Sequence, residues 1–321
     1  MKKFCMGLLL AGCALAAQAQ QSFEQLDIGR GDARLPVYVM SEPQAKATLI
    51  LLPGGDAGTG AIVDGMPKSG NFLSRSRSLF KQAGYNVMVV YRPSDLKALD
   101  YDYRISAPHI HELRVAVEYA KQAWGRPVWL IGTSRGTVSG TAAAIALGPE
   151  LVSGLVLTSS VTNSKAGAIA TQNLKDLKIP VLVVHHSKDA CKVCKPDEAA
   201  QITQWLIHSP RKDFILVDGG SDPRGNVCDA QHWHGFIQYE PETVKLITDW
   251  LDGQSGRLGG FAGTTYQPYG LSSFCGVNTA APWWSPDTFS DLNRMPMILN
   301  TLKAKNKYQY RHLVTIVVYV L

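Results

Sequence analysis

The chain of 321 residues is 45% hydrophobic and 18% charged, ordinary values for a globular protein, so disorder is excluded as its default state. Of the formal charge of +6, two come from Lys2 and Lys3, and the rest from residues 254–321, where six Lys or Arg face only Asp287 and Asp291. The body between is neutral and offers no electrostatic footprint for nucleic acid.

In chain order, residues 1–19 (MKKFCMGLLLAGCALAAQA) combine a basic start, an apolar run and a small-x-small ending at Ala17-Gln18-Ala19. They read as a bacterial-type secretory signal cleaved before Gln20. A competing reading lies inside it: Leu10-Ala11-Gly12-Cys13 resembles a lipobox, which would make Cys13 a lipidated N-terminus and a membrane tether. Either reading places the domain outside the cytoplasm, as a periplasmic or secreted protein or as an anchored lipoprotein. No later apolar run reaches the ~20 residues needed to span a bilayer.

Residues 20–253 alternate apolar, strand-favouring runs with helical patterns, the mark of a mostly parallel sheet with crossover helices. Strands are predicted at Thr48–Pro53, Asn86–Tyr91, Val128–Gly132, Leu155–Ser159, Val181–His185 and Phe214–Val217. Helices are predicted at Phe72–Ala83, Glu112–Trp124, from Gly136 onward, at Glu198–Ile207 and at Glu242–Leu251. Ser160 to Pro180 leaves room for a short lid at most. Residues 254–321, rich in Gly, Ser, Thr and aromatics, form a tail of uncertain structure.

One stretch joins strand to helix through Gly132-Thr133-Ser134-Arg135-Gly136. Five letters alone are a weak motif, but a tight turn here holds a strained central residue clear of the sheet, and glycines on both sides relieve the crowding. The amide of Arg135 then opens a helix, where it can stabilise an oxyanion. In this setting the sequence resembles the α/β-hydrolase family, over roughly residues 35–252, and the turn resembles that family's nucleophile elbow. The resemblance implies a doubly wound sheet with helices on both faces, little or no cap domain, and a serine nucleophile at Ser134.

A serine hydroxyl reacts only when a base takes its proton, so a histidine and an acid must meet it in space. The family's chain order, Ser then acid then His, points to Asp189 as the acid, with Asp218 and Asp222 in reserve. For the base it points to the loop holding His232 and His234. His234 is favoured because His-Gly-Phe before the last helix resembles the family's histidine loop, and His232 is the alternative. Among the other histidines, His109, His111 and His208 read as surface or capping residues, His185 and His186 as core, and His312 falls in the tail.

The glycine-rich loop Gly54-Gly55-Asp56-Ala57-Gly58 stands where the family carries its second oxyanion donor, without the family's histidine. The N–H of Gly55 or Asp56 would act with that of Arg135. Beyond the leader's Cys5 and Cys13, four cysteines remain: Cys191, Cys194, Cys228 and Cys275. In an oxidising compartment they are expected to pair. A Cys191–Cys228 bridge would staple the acid loop to the base loop, while Cys191 could instead close on Cys194. A zinc site from Cys191, Cys194, Cys228 and His232 is formally possible, but the expected chemistry needs no metal or organic cofactor.

The expected activity is hydrolysis of a carboxylic ester or related small acyl compound through an acyl-enzyme on Ser134. The alternative is a catalytically silent hydrolase-like binding or scaffold protein of the cell envelope. The expected partner is a small-molecule substrate, not nucleic acid, and oligomeric state has no signature in the sequence.

Overall fold

The computed structural model describes residues 21–58, 60–63, 66–254 and 264–268, and among them eleven short strands and seven α-helices. The strands are β1 (Gln21–Asp27), β2 (Arg34–Met40), β3 (Thr48–Leu52), β4 (Ile62–Val63), β5 (Met66–Pro67), β6 (Asn86–Val90), β7 (Val128–Thr133), β8 (Gly154–Thr158), β9 (Val181–His186), β10 (Lys212–Val217) and β11 (Thr264–Pro268). The helices are α1 (Phe72–Arg75), α2 (Arg77–Gln82), α3 (Tyr101–Arg104), α4 (Ala107–Trp124), α5 (Arg135–Leu151), α6 (Pro196–Trp205) and α7 (Glu240–Leu251). Nine strands form one sheet in the order β1-β2-β6-β3-β7-β8-β9-β10-β11, and β4 and β5 pair separately as a small hairpin. From β6 to β10 every neighbouring pair is parallel; β1, β2 and β11 add antiparallel edges.

The apolar runs are long because the central strands are buried on both faces. Successive residues of β3 then feed two cores. Leu49 and Leu51 pack with Phe72, Phe80, Leu246 and Trp250 of α1, α2 and α7, while Ile50 and Leu52 pack with Leu113, Val117, Leu147 and Ile202 of α4, α5 and α6. Helices thus cover both faces, giving the doubly wound α/β arrangement. Between β8 and β9 the chain makes two single-turn 3-10 helices, Ile169–Thr171 and Leu174–Asp176, and no cap domain.

Several elements differ from their expected bounds. The helix expected over Phe72–Ala83 breaks at Ser76, whose backbone N–H closes α1 onto the Phe72 carbonyl. Helix α4 starts five residues before its expected position. Ser106 caps it and Pro108 lies in the first turn, where a missing N–H leaves no intrahelical bond unmade. Within the segment expected to be a tail, Thr264–Pro268 runs antiparallel beside β10, with Ile215 opposite Tyr266. The predicted leader with Cys13, and Cys275 and His312, lie outside the described residues.

Trp250 of α7 anchors one face. Its ring is fully buried, meets Trp129 edge-on with centroids 5.9 Å apart, and donates from Nε1 to Asp213 Oδ2 at 2.6 Å. Replacing it by Ala should destabilise the domain by about 3–5 kcal/mol in urea unfolding; a loss below about 1 kcal/mol would show that this face does not depend on it.

Candidate active site

Ser134 lies between β7 and α5 with φ 52° and ψ −126°, a conformation that a side chain adopts only under constraint. The constraint is packing. A Cβ on Gly136 would lie 1.9 Å from the Leu52 carbonyl oxygen, and one on Gly132 would lie 2.5 Å from the Gly136 oxygen. With strand and helix this close, the residue between them is forced outward. Its N–H bonds to Thr158 O at 3.0 Å, and its carbonyl accepts from Thr137 N at 2.9 Å and Thr137 Oγ1 at 2.6 Å. The half-buried side chain faces a cavity of about 240 Å³ that is also lined by Gly54, Gly55, Phe72, Cys228 and His234.

Asp189 follows β9 and is almost fully buried. Its Oδ2 lies 2.8 Å from His234 Nδ1 and 3.1 Å from His185 Nε2, and its Oδ1 accepts from the Cys191 N–H at 2.9 Å. Burial alone would raise its pKa, but the hydrogen bonds from His185 and His234 outweigh it and hold the carboxyl well below the usual carboxylate range. An ionised carboxylate only accepts, so His234 Nδ1 carries a proton, and in the neutral ring Nε2 is the nitrogen with the free lone pair. That Nε2 has no hydrogen-bond partner among the described residues. It is a base with its acceptor position unoccupied, in a ring that lines the same cavity as Ser134.

His232 makes no such contact with Asp189: its ring stacks edge-on against Trp233, with centroids 5.0 Å apart. Asp218 pairs with Lys188 at 2.9 Å, and Asp222 bonds with Ser221 and Gln238 on the surface. His186 bonds the Gly219 carbonyl at 2.8 Å and accepts from the Lys188 N–H, a structural role. His109, read from the sequence as a surface or capping residue, is 3% exposed, because the earlier start of α4 turns it into the core.

The second donor loop lies against the serine: a Cβ on Gly54 would sit 2.8 Å from Ser134 Cβ. Gly54 O accepts from Ala57 N at 3.0 Å in a tight turn whose next residue, Gly55, has φ +60°. The N–H groups of Gly55, Asp56 and Arg135 have no hydrogen-bond acceptor among the described residues. The Arg135 side chain is turned aside, its guanidinium 4.7 Å from the centre of the Tyr101 ring.

Three neighbours have contacts that the sequence reading does not assign to them. His185 Nε2 bridges Asp189 and the Cys194 carbonyl at 2.9 Å, giving the acid a second histidine. Arg75 donates to the carbonyls of Ala230 and Gly235 and pairs with Glu240 at 2.7 Å, tying the histidine loop to α1 and α7. Cys194 is buried and free, with its Sγ, that of Cys191 and a His234 ring nitrogen within 4.8 Å of one another. Burial pushes its thiol pKa up, with Asp189 adding to the effect, so it stays a neutral thiol rather than a thiolate. Cys191 is bonded to Cys228, which commits its sulfur and joins the acid and base loops.

No protein-family model matches the chain, and no curated protein sequence matches it. Solved structures do. An alpha-beta serine hydrolase homologue from Coxiella burnetii shares 16% identity, with 72% of this chain and 97% of that one covered, at a TM-score of 0.50. Est1E from Butyrivibrio proteoclasticus shares 12%, covering 73% and 99%, at 0.50. Dienelactone hydrolase from Anabaena variabilis shares 15%, covering 74% and 98%, at 0.50. At this identity the likeness is one of fold.

Because the folded-state pKa of Asp189 is depressed, its contribution to stability is present above the ordinary value of 3.8 and is lost as the pH falls through the folded value. The Tm difference between wild type and Asp189→Asn should therefore be full at neutral pH and shrink below pH 3.8. A difference constant with pH would show that the carboxyl is not held ionised.

Proposed function

We propose that this protein, whose chain has the α/β-hydrolase fold, is a serine hydrolase that cleaves a small carboxylic ester or related acyl compound. The observation that carries the reading is the strained Ser134 sharing one cavity with His234, whose other ring nitrogen is bonded to a buried, ionised Asp189.

The chemistry follows from the groups present. As Ser134 Oγ attacks the carbonyl carbon, His234 Nε2 takes its proton, and the imidazolium that forms is stabilised by Asp189. The negative charge that develops on the carbonyl oxygen is met by the N–H groups of Arg135 and of Gly55 or Asp56, donors already fixed in place. The protonated His234 then gives its proton to the leaving alcohol. Water, activated by the same ring, hydrolyses the acyl-enzyme and restores the serine.

A cavity of about 240 Å³ suits a short acyl group rather than a long chain. The Cys191–Cys228 disulfide fits an extracytoplasmic location, and no helix among the described residues is long and apolar enough to cross a membrane.

A fluorophosphonate probe should label wild type but not Ser134→Ala. On a short-chain ester, His234→Ala should lower kcat about 10³-fold or more, and His232→Ala should lower it less than about tenfold. Absence of labelling in well-folded wild type would favour a silent binding protein; an equal loss at His232 would move the base to that residue.

A further inference from the structure

Behind the oxyanion loop stands a second serine, histidine and carboxylate. His109 Nδ1 lies 2.8 Å from Glu112 Oε2, and its Nε2 lies 2.9 Å from Ser139 Oγ. The order matches a catalytic triad, but Ser139, His109 and Glu112 are 1%, 3% and 0% exposed. The void lined by Ser139 and His109 measures about 10 Å³, no more than one water's worth. No substrate reaches this serine, so its role is to hold something else.

The hydrogen bonds run in one direction. Burial would raise the pKa of Glu112, but hydrogen bonds from His109 and Tyr103 outweigh it and keep the carboxyl ionised, and Arg30 Nη1 pairs with it at 2.8 Å. Burial also lowers the pKa of His109, which favours the neutral ring: Nδ1–H donates to Glu112 and Nε2 accepts from the Ser139 hydroxyl. Ser139 Oγ accepts in turn from Arg104 Nη1 at 2.8 Å. The other arm of the same guanidinium, Nη2, donates to the Gly55 carbonyl at 3.1 Å.

Arg104 is 1% exposed, and no carboxylate pairs with it among the described residues. A buried guanidinium without a counter-charge is a net cost to stability. Its fork spans a rigid anchor and the carbonyl of the peptide whose other end, the Asp56 N–H, has no acceptor among the described residues.

We propose that Arg104 is a positioning residue of the oxyanion loop: anchored through Ser139 and His109 to buried Glu112, it holds the Gly55 carbonyl and, through the planar peptide that this carbonyl shares with Asp56, keeps the Asp56 N–H aimed at the developing oxyanion. This rests on the serine hydrolase reading above. Gly55 sits in the left-handed region, where glycine has several accessible conformations, and only an external hold selects one of them. The turn already fixes the Gly54 carbonyl and with it the Gly55 N–H of the same peptide, so the Gly55–Asp56 peptide is where the loop is free to rotate.

The test uses the full-length protein and two substitutions outside the reacting groups: Ser139→Ala, which removes the anchor and keeps the arginine, and Arg104→Lys, which keeps a charge and loses the fork. With a short-chain p-nitrophenyl ester, each should lower kcat about tenfold to a hundredfold and change KM by less than about threefold. Affinity for a boronic acid that mimics the tetrahedral intermediate should fall in the same ratio as kcat, while affinity for the product alcohol should hold. Near-unchanged kcat in folded variants would overturn the proposal. So would equal losses for boronic acid and alcohol, the mark of general loosening. Wild type that a fluorophosphonate fails to label would overturn the hydrolase reading and this proposal together, whereas labelled wild type with unimpaired variants would overturn this proposal alone.

Discussion

Where β7 turns into α5, the backbone of Gly136 passes so close to the end of β3 that no side chain fits between them. Strand and helix there are in direct backbone contact, and Ser134, the residue at the apex, is left with a positive φ and a hydroxyl turned into the cavity. The strain persists because the surrounding structure over-determines it: the β8 strand holds the Ser134 N–H, Thr137 holds its carbonyl, and Gly54 closes over its Cβ. The rest of the site is arranged around that hydroxyl.

Two levels of support surround it. Asp189 accepts from two histidines and one backbone amide, so its charge is stabilised in the folded state and the tautomer of His234 follows from it. The loops carrying acid and base are then tied from outside, by the Cys191–Cys228 bridge on one side and by Arg75 on the other. On the far side of the serine, the buried chain from Glu112 to Arg104 reaches the Gly55 carbonyl as Asp189 reaches His234, and the proposed function gives the two a parallel task. Both devices use an ionised carboxylate to set the direction of hydrogen bonds through a histidine.

Much of this was legible in the sequence because it depends on local patterns. The central strands announce themselves as apolar runs, and the elbow is a strand, a turn and a helix with glycine where backbones touch. Asp189 and His234 lie just past elements whose order the family resemblance supplies, and the structure brings those two within hydrogen-bonding distance. Other parts left no local trace. The β1–β2 hairpin is weakly patterned: β1 has one buried residue, and Pro36 inside β2 argues against a strand. Helix α3 has four residues, too few for any periodicity to show. Arg104 and Glu112 belong to residue types that are mostly exposed, so their burial is a tertiary fact with no sequence signature. His109 reads as a surface or capping residue because it precedes the helix expected from Glu112; in the structure that helix opens earlier, with Pro108 in its first turn, and carries His109 inward.

The most direct test of the central claim is to find where the acyl group goes. Rapid quenching of the enzyme during turnover of p-nitrophenyl acetate, followed by peptide mass spectrometry, should place a single acetyl group on the peptide containing Ser134 and none on that variant when Ser134 is Ala. An acetyl group on Cys194, or turnover with no acylated peptide, would contradict the account.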